Sequence, residues 1–141
     1  MAGVLIAGCG EESGVSSGAT VSVYVAASLC PEAGEVLAGE VDPPRDIRVR
    51  AICLANPQRG GQVNLATIGG NARRATEDSA AVAYIEGSNP AAAKFSRPIV
   101  EAANIAWTTA SSGEAAMAQV LRAIAEADSS SLRDEVREAL E

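Results

Sequence analysis

No histidine occurs anywhere in this sequence. The side chain that most often acts as general base near pH 7, and that most often ligates metals, is therefore missing, which removes Ser-His-Asp and Cys-His catalysis and most zinc sites. Aromatic residues are nearly as scarce: one Phe, one Trp and two Tyr make up 3% of the chain. The core has to be assembled from Ala, Val, Ile and Leu. Basic residues are outnumbered, 11 against 18, giving a net charge of -7 and a pI near 4.6. That balance argues against a nucleic-acid partner, because displacing counterions from a phosphate backbone needs clustered Lys and Arg. Here the arginines are scattered, as Arg48 and Arg50, Arg73 and Arg74, and then single positions. The glycine-rich "GGQVNLATIGGN" has neither the G-x-x-x-x-G-K-[ST] nor the G-x-G-x-x-G spacing that cradles phosphates. Neither a cofactor nor a metal site is expected.

What is present is an ordinary globular composition, 48% hydrophobic and 21% charged over 141 residues, the size of one domain with a single core. Three cysteines stand in different settings. Cys9 closes "VLIAGC" and resembles a bacterial lipobox, with Ile6, Ala7 and Gly8 ahead of a modifiable thiol. The resemblance implies cleavage before Cys9 and a diacylglyceryl anchor on it, so residues 1–9 form a truncated lipoprotein signal and residues 10–19 a flexible Gly/Ser tether. Eight residues precede Cys9 and none is Lys or Arg, so either translation starts upstream or the export signal is broken; a Gly-Cys-Gly turn is the alternative. Residues 20–141 form the folded lobe.

Along that lobe the pattern alternates. "ATVSVYVAASL" is a β-branched apolar run suited to a parallel strand covered on both faces. "PEAGEVLAGEV" follows as a helix with Pro31 in its first turn, and "DPPRD" ends it. "IRVRAICL" alternates apolar residues with Arg48 and Arg50, which marks an edge strand. After the turn "ANPQRGG", residues 64–78 put Leu65, Ile68, Ala72 and Ala75 on one helical stripe, with a bend or late start expected at Gly69 and Gly70. "AVAYIEG" is the next strand. Residues 91–103 form a helix with Phe95, Ile99 and Val100 facing inward and a kink or early end at Pro98. "IAWTTA" is a fourth strand. Two helices close the chain, one with Met117, Val120, Leu121 and Ile124 inward, the other with Leu132, Val136 and Leu140 inward and Ser131 as its cap. Arg73 and Arg74 read as a solvated face and Trp107 as core.

This order predicts an α/β fold, a three-layer doubly wound parallel sheet of about four strands with helices on both faces, in flavodoxin-like strand order. Ligands of such sheets sit beyond the carboxyl ends of the strands, where strand order reverses. Cys30 follows the first strand and Cys53 ends the second. If those strands are neighbours and the chain is exported, the two thiols share a rim and would pair, adding on the order of 3 kcal/mol. In a cytoplasmic chain two buried free thiols is the better description.

"VSVYVAASL", "IRVRAICL", "NARRATEDSAAVAYIEG" and "FSRPIVEAANIAWTTASS" resemble the N-terminal lobe of type I periplasmic solute-binding proteins, the branched-chain amino-acid receptors of ABC transporters. The likeness covers residues 20–112. "AAMAQVLRAIAEADSSSLRDEVREAL" is similar to the segment that ends such receptors, so the chain looks like a receptor whose second lobe has been removed and whose first-lobe ends join at Gly113. The resemblance implies an extracytoplasmic, lipid-anchored protein, not an enzyme, in which half a pocket holds an amino acid or similar polar solute weakly or not at all. The positions that match the family's ligand contacts are Gly87, Ser88 and Asn89, then Ala110, Ser111 and Ser112, with backbone N–H groups at the following helix starts available for a carboxylate. For Ser112 a helix N-cap is the competing role. A second reading makes the chain an interaction module, in which the surface once facing the second lobe, near Leu29, Gly87 and Thr109, receives a second copy or another protein. Contact with a membrane is expected only through a lipid on Cys9.

Overall fold

The computed structural model describes residues 19–39, 47–127 and 132–141. Cys9, the tether up to residue 18 and the Ser131 cap lie outside the described residues. The elements follow one another as β1 (Thr20–Val25), α1 (Cys30–Ala38), β2 (Arg48–Cys53), β3 (Gln58–Arg59), β4 (Gln62–Val63), α2 (Leu65–Thr76), β5 (Ala81–Glu86), α3 (Pro90–Ala102), β6 (Ala106–Thr109), α4 (Gly113–Glu126) and α5 (Leu132–Leu140).

Four of the strands make one parallel sheet in the order β2-β1-β5-β6. The two central strands carry the apolar runs: β5 is buried along its whole length and β1 everywhere except Thr20. The second strand is an edge, as its arginines require, and Arg48 and Arg50 are exposed there, where charge discourages pairing with another chain. The sheet separates two cores. On one face Val21, Val23 and Val25 of β1 pack with Ala33 of α1, Met117, Val120 and Ile124 of α4, and Leu132 and Val136 of α5. On the other, Tyr24 and Tyr84, register partners with ring centroids 6.5 Å apart, pack with Ala72 and Ala75 of α2 and Val100 of α3. This is the expected three-layer α/β architecture, and the C-terminal helices complete the same lobe.

Small residues set the fit between layers. At the first residue of α4, a Cβ on Gly113 would lie 2.2 Å from the carbonyl oxygen of Leu29, so only glycine lets α4 approach the start of α1 this closely. The amide of Gly113 donates to Glu32 Oε1 at 2.7 Å across the same contact.

Several local expectations are corrected. The "ANPQRGG" turn is a β-hairpin, β3–β4, with Gly60 and Gly61 both at positive φ (55° and 83°), the pairing a two-residue turn needs. α2 starts at Leu65 and runs through both Gly69 and Gly70, because Asn64 caps it by accepting from the Thr67 amide at 3.2 Å. α3 likewise continues past Pro98 to Ala102. Phe95 and Leu65 are exposed (45% and 51%) instead of inward. The buried stripe of α3 is Ala92, Ser96 and Val100, which turns Phe95 to the side; Leu65, the first residue of α2, stands at the sheet's rim. Trp107 is half-buried and packs against the second core.

Candidate functional site

The chain passes from β2, on one side of β1, to β5 on the other, so strand order reverses between β1 and β5. At the carboxyl ends of these two strands lies a cleft of about 250 Å³. Its walls are three segments that follow strands: Ala26–Ser28 after β1, Asn56–Gln58 after β2, and Gly87–Asn89 after β5, with Glu86 and Ala92 between them.

Each wall is held by named bonds. The Ala26 amide donates to the Ile85 carbonyl at 2.9 Å, and the Leu54 amide to the Val25 carbonyl at 2.8 Å, so the sheet's bonding continues into the loops. Asn71 of α2, 9% exposed, clamps the second wall: Nδ2 donates to the Ala55 carbonyl at 2.9 Å while Oδ1 accepts from the Ala55 amide at 3.1 Å. A disulfide joins Cys30 to Cys53, with Cα atoms 5.6 Å apart. It ties the start of α1, just past the first wall, to the end of β2, just ahead of the second. Cys30 is buried and Cys53 exposed, so the two are not a pair of buried thiols.

Glu86 is the unforeseen member. It ends β5, is 6% exposed and lines the cleft. Its Oε2 accepts from Ser96 Oγ at 2.7 Å and its Oε1 from the Gly87 amide at 3.3 Å; Ser96 Oγ in turn accepts from the Trp107 indole N–H at 3.0 Å. Burial raises the Glu86 carboxyl above its ordinary range in spite of these two donors. Tyr84, one pleat earlier on the same face, is raised as well, by burial first and then by the Glu86 charge. Nothing in the sequence pattern announced this group, since a lone acid closing an apolar strand reads as the strand's polar end.

Of the residues expected at the site, Gly87, Ser88 and Asn89 line the cleft. Ala110, Ser111 and Ser112 do not; they follow β6, beside the start of α4. Ser112 is the N-cap of α4, its Oγ accepting from the Ala115 amide at 3.2 Å, so the competing role is the one it fills. Leu29 and Gly87, expected on an exposed face, are buried, while Thr109 is exposed.

Both helix starts expected to receive a carboxylate are already occupied. In α3, Pro90 has no N–H, Asn89 Oδ1 accepts from Ala91 and Ala92 at 2.9 and 3.1 Å, and the Asn89 carbonyl takes the Ala93 amide. At α4 the Glu32 carboxylate and Ser112 take the amides of Gly113 and Ala115. The α3 start and most of the α4 start are thus taken by the chain's own oxygens.

A second hollow, about 360 Å³, runs along the β6 edge between Arg97, Glu101, Trp107, Arg137 and Glu141. Its charges are matched internally: Arg97 pairs with Glu101 at 3.0 Å and Arg137 with Glu141 at 2.8 Å, and the Arg97 guanidinium lies 5.2 Å from the Trp107 ring centre. It is larger than the cleft but lies at the β6 edge, away from the β1/β5 reversal. Among the described residues no group of three or more His, Cys, Asp or Glu could hold a metal, and no helix is long and apolar enough to cross a membrane. Comparisons with protein-family models, with characterised proteins and with solved structures find no match to this chain.

Proposed function

We propose that this chain is an extracytoplasmic, lipid-anchored lobe of the solute-binding-protein kind, a binding module and not an enzyme, which takes a small polar solute such as an amino acid weakly at the β1/β5 cleft. The observation that carries this reading is the cleft's position: it lies where strand order reverses, and Gly87, Ser88 and Asn89 line it. Weak binding follows from the geometry. A cleft open on one side and smaller than the roughly 300–1,000 Å³ of pockets that enclose drug-sized ligands leaves much of any solute in water. The bridge between Cys30 and Cys53 supports an oxidising compartment, where such bonds persist.

A specific observation also favours the interaction-module reading. Leu65 and Phe95 are the exposed large apolar residues among those described, Leu65 at the start of α2 and Phe95 in the second turn of α3. Thermal shift against a panel of amino acids and small amines separates the two readings, because a ligand that binds only the folded state raises the melting temperature by mass action. Solute binding predicts a concentration-dependent rise at millimolar solute. No rise with any member, together with a dimer by light scattering, contradicts it and favours the module. Mass spectrometry of membrane fractions tests the anchor: a diacylglyceryl mass on Cys9 supports it, and an unmodified thiol there removes it.

A further inference from the structure

We propose that the β1/β5 cleft selects a small cationic solute, a primary ammonium seated on the Glu86 carboxylate, and rejects carboxylates. This rests on the reading of the cleft as a solute site, and it specifies which end of the solute the site recognises.

Three observations converge. Glu86 is 6% exposed and yet is one of the residues that line an open cleft, so a buried acid borders the cavity. Among the described residues its partners are one hydroxyl, from Ser96, and one amide, from Gly87; of the two cations of the nearby α3 helix, Arg97 pairs with Glu101 and Lys94 is exposed, and neither bonds to Glu86. A carboxylate has about four acceptor positions, so two donors leave capacity for the N–H groups of an ammonium. Burying a charge without a countercharge is costly, and a cation entering the cleft supplies the missing one. Burial has also raised this carboxyl's affinity for a proton, the same deficit of positive charge in another form.

The helix starts bear on anions independently of Glu86. An amino acid's carboxylate would seek the helix starts at this rim, but the α3 amides bond to Asn89, and the first α4 amides bond to Glu32 and Ser112. A carboxylate entering here meets the acid of Glu86, and the α3 start beside it has its amides bonded already. The volume, about 250 Å³, limits the solute to a few heavy atoms beyond its ammonium, given roughly 30 Å³ per water in the liquid. The other polar wall groups, Ser28, Asn56, Gln58 and Ser88, are neutral and would serve a cation or a hydroxyl equally.

The test uses the full chain, labelled with 15N, and three probes of nearly one shape: propylammonium, 1-propanol and propionate. Amide shifts are followed at Ser28, Gly87, Ser88 and Ala92. Propylammonium is expected to shift these amides saturably, propanol at least tenfold more weakly, and propionate not at all. Glu86→Gln, which keeps the acceptor for Ser96 but not the charge, is expected to weaken propylammonium at least tenfold while the spectrum stays dispersed. The three-probe comparison on the wild-type chain stands even if that variant unfolds. Propionate binding as well as propylammonium, or a folded Glu86→Gln chain binding propylammonium unchanged, overturns the proposal and leaves the cleft as a solute site of another kind. If none of the three moves these amides, both the proposal and the solute-site reading fail.

Discussion

Arg133 and Glu86 are two charged side chains buried to nearly the same degree, 7% and 6% exposed, at opposite ends of the same strand. Arg133 reaches the amino end of β5, where its Nε donates to the Ala81 carbonyl at 2.9 Å and its Nη2 to the Ser79 carbonyl at 3.1 Å, with longer contacts to Asp78 and Ala103. Its fan of donors is spent on fixed backbone acceptors, and it pins α5 to the turns that lead into β5 and β6. Glu86 closes the carboxyl end beside a cleft, bonded to one hydroxyl and its own neighbour's amide. One buried charge is completed by the fold and the other is not. The first is explained by stability; the second is the charge that the proposed ammonium would complete.

That contrast can be broken at several points, and the largest effect is expected at the amino end. Arg133→Ala leaves the buried Ala81 carbonyl without this donor, at about 1–3 kcal/mol, and loses weaker part-buried bonds and packing besides, so a loss of about 4 kcal/mol is expected by denaturant unfolding. A loss under about 1 kcal/mol would mean that Arg133 is no more of an anchor than a surface residue. Next, Cys30→Ser with Cys53→Ser opens a loop whose ends are 23 residues apart, an expected loss of about 3 kcal/mol. Because the bridge joins two walls of the cleft, hydrogen exchange at Leu54 and Ala55 should also quicken; unchanged exchange there would limit the bond to the unfolded chain.

A smaller change sharpens the comparison within the carboxyl rim. Asn89→Ala removes the α3 cap and should cost about 1 kcal/mol. It also frees the Ala91 and Ala92 amides, so the variant is expected to gain propionate shifts at those two residues that the native chain lacks. A variant as blind to propionate as the wild type would show that the cap is not what keeps carboxylates out.

Much of this architecture is legible in the residues themselves. Apolar runs in "TVSVYV" and "AVAYIE" mark central strands, and Arg48 and Arg50 mark the edge. Ile68, Ala72 and Ala75, and Met117, Val120 and Ile124, repeat at helical spacing and are buried. Cys30 and Cys53 follow neighbouring strands and are bonded. What periodicity hides is the use of polar atoms across long separations. Ser96 sits inward and Phe95 aside because Ser96 must reach Glu86 and Trp107, a choice of helix phase that apolarity alone would reverse. Arg133 is one charge among many in "LRDEVREAL", and only the packing of α5 brings it to β5. Half of the expected site, Ala110–Ser112, lies outside the cleft because it follows β6, one strand beyond the β1/β5 reversal, and the α4 start beside it is met by Glu32, a residue 81 positions before Gly113.

The central claim, that Glu86 is a charge the fold leaves uncompensated, is tested most directly by the unfolding midpoints of the wild type and Glu86→Gln followed from pH 3 to pH 8. Well below the ordinary value of 4.5, Glu86 is protonated in both states, and the two proteins should melt together. As pH rises past 4.5 the unfolded chain releases this proton first, so the wild type loses stability until the raised native carboxyl has also titrated. Glutamine has no proton to lose. The account predicts that Glu86→Gln becomes the more stable protein as pH rises, with the gap largest at neutral pH. A Glu86→Gln chain less stable than the wild type at neutral pH, by an amount that grows with pH, would contradict it, for the carboxylate would then be held by partners within the fold.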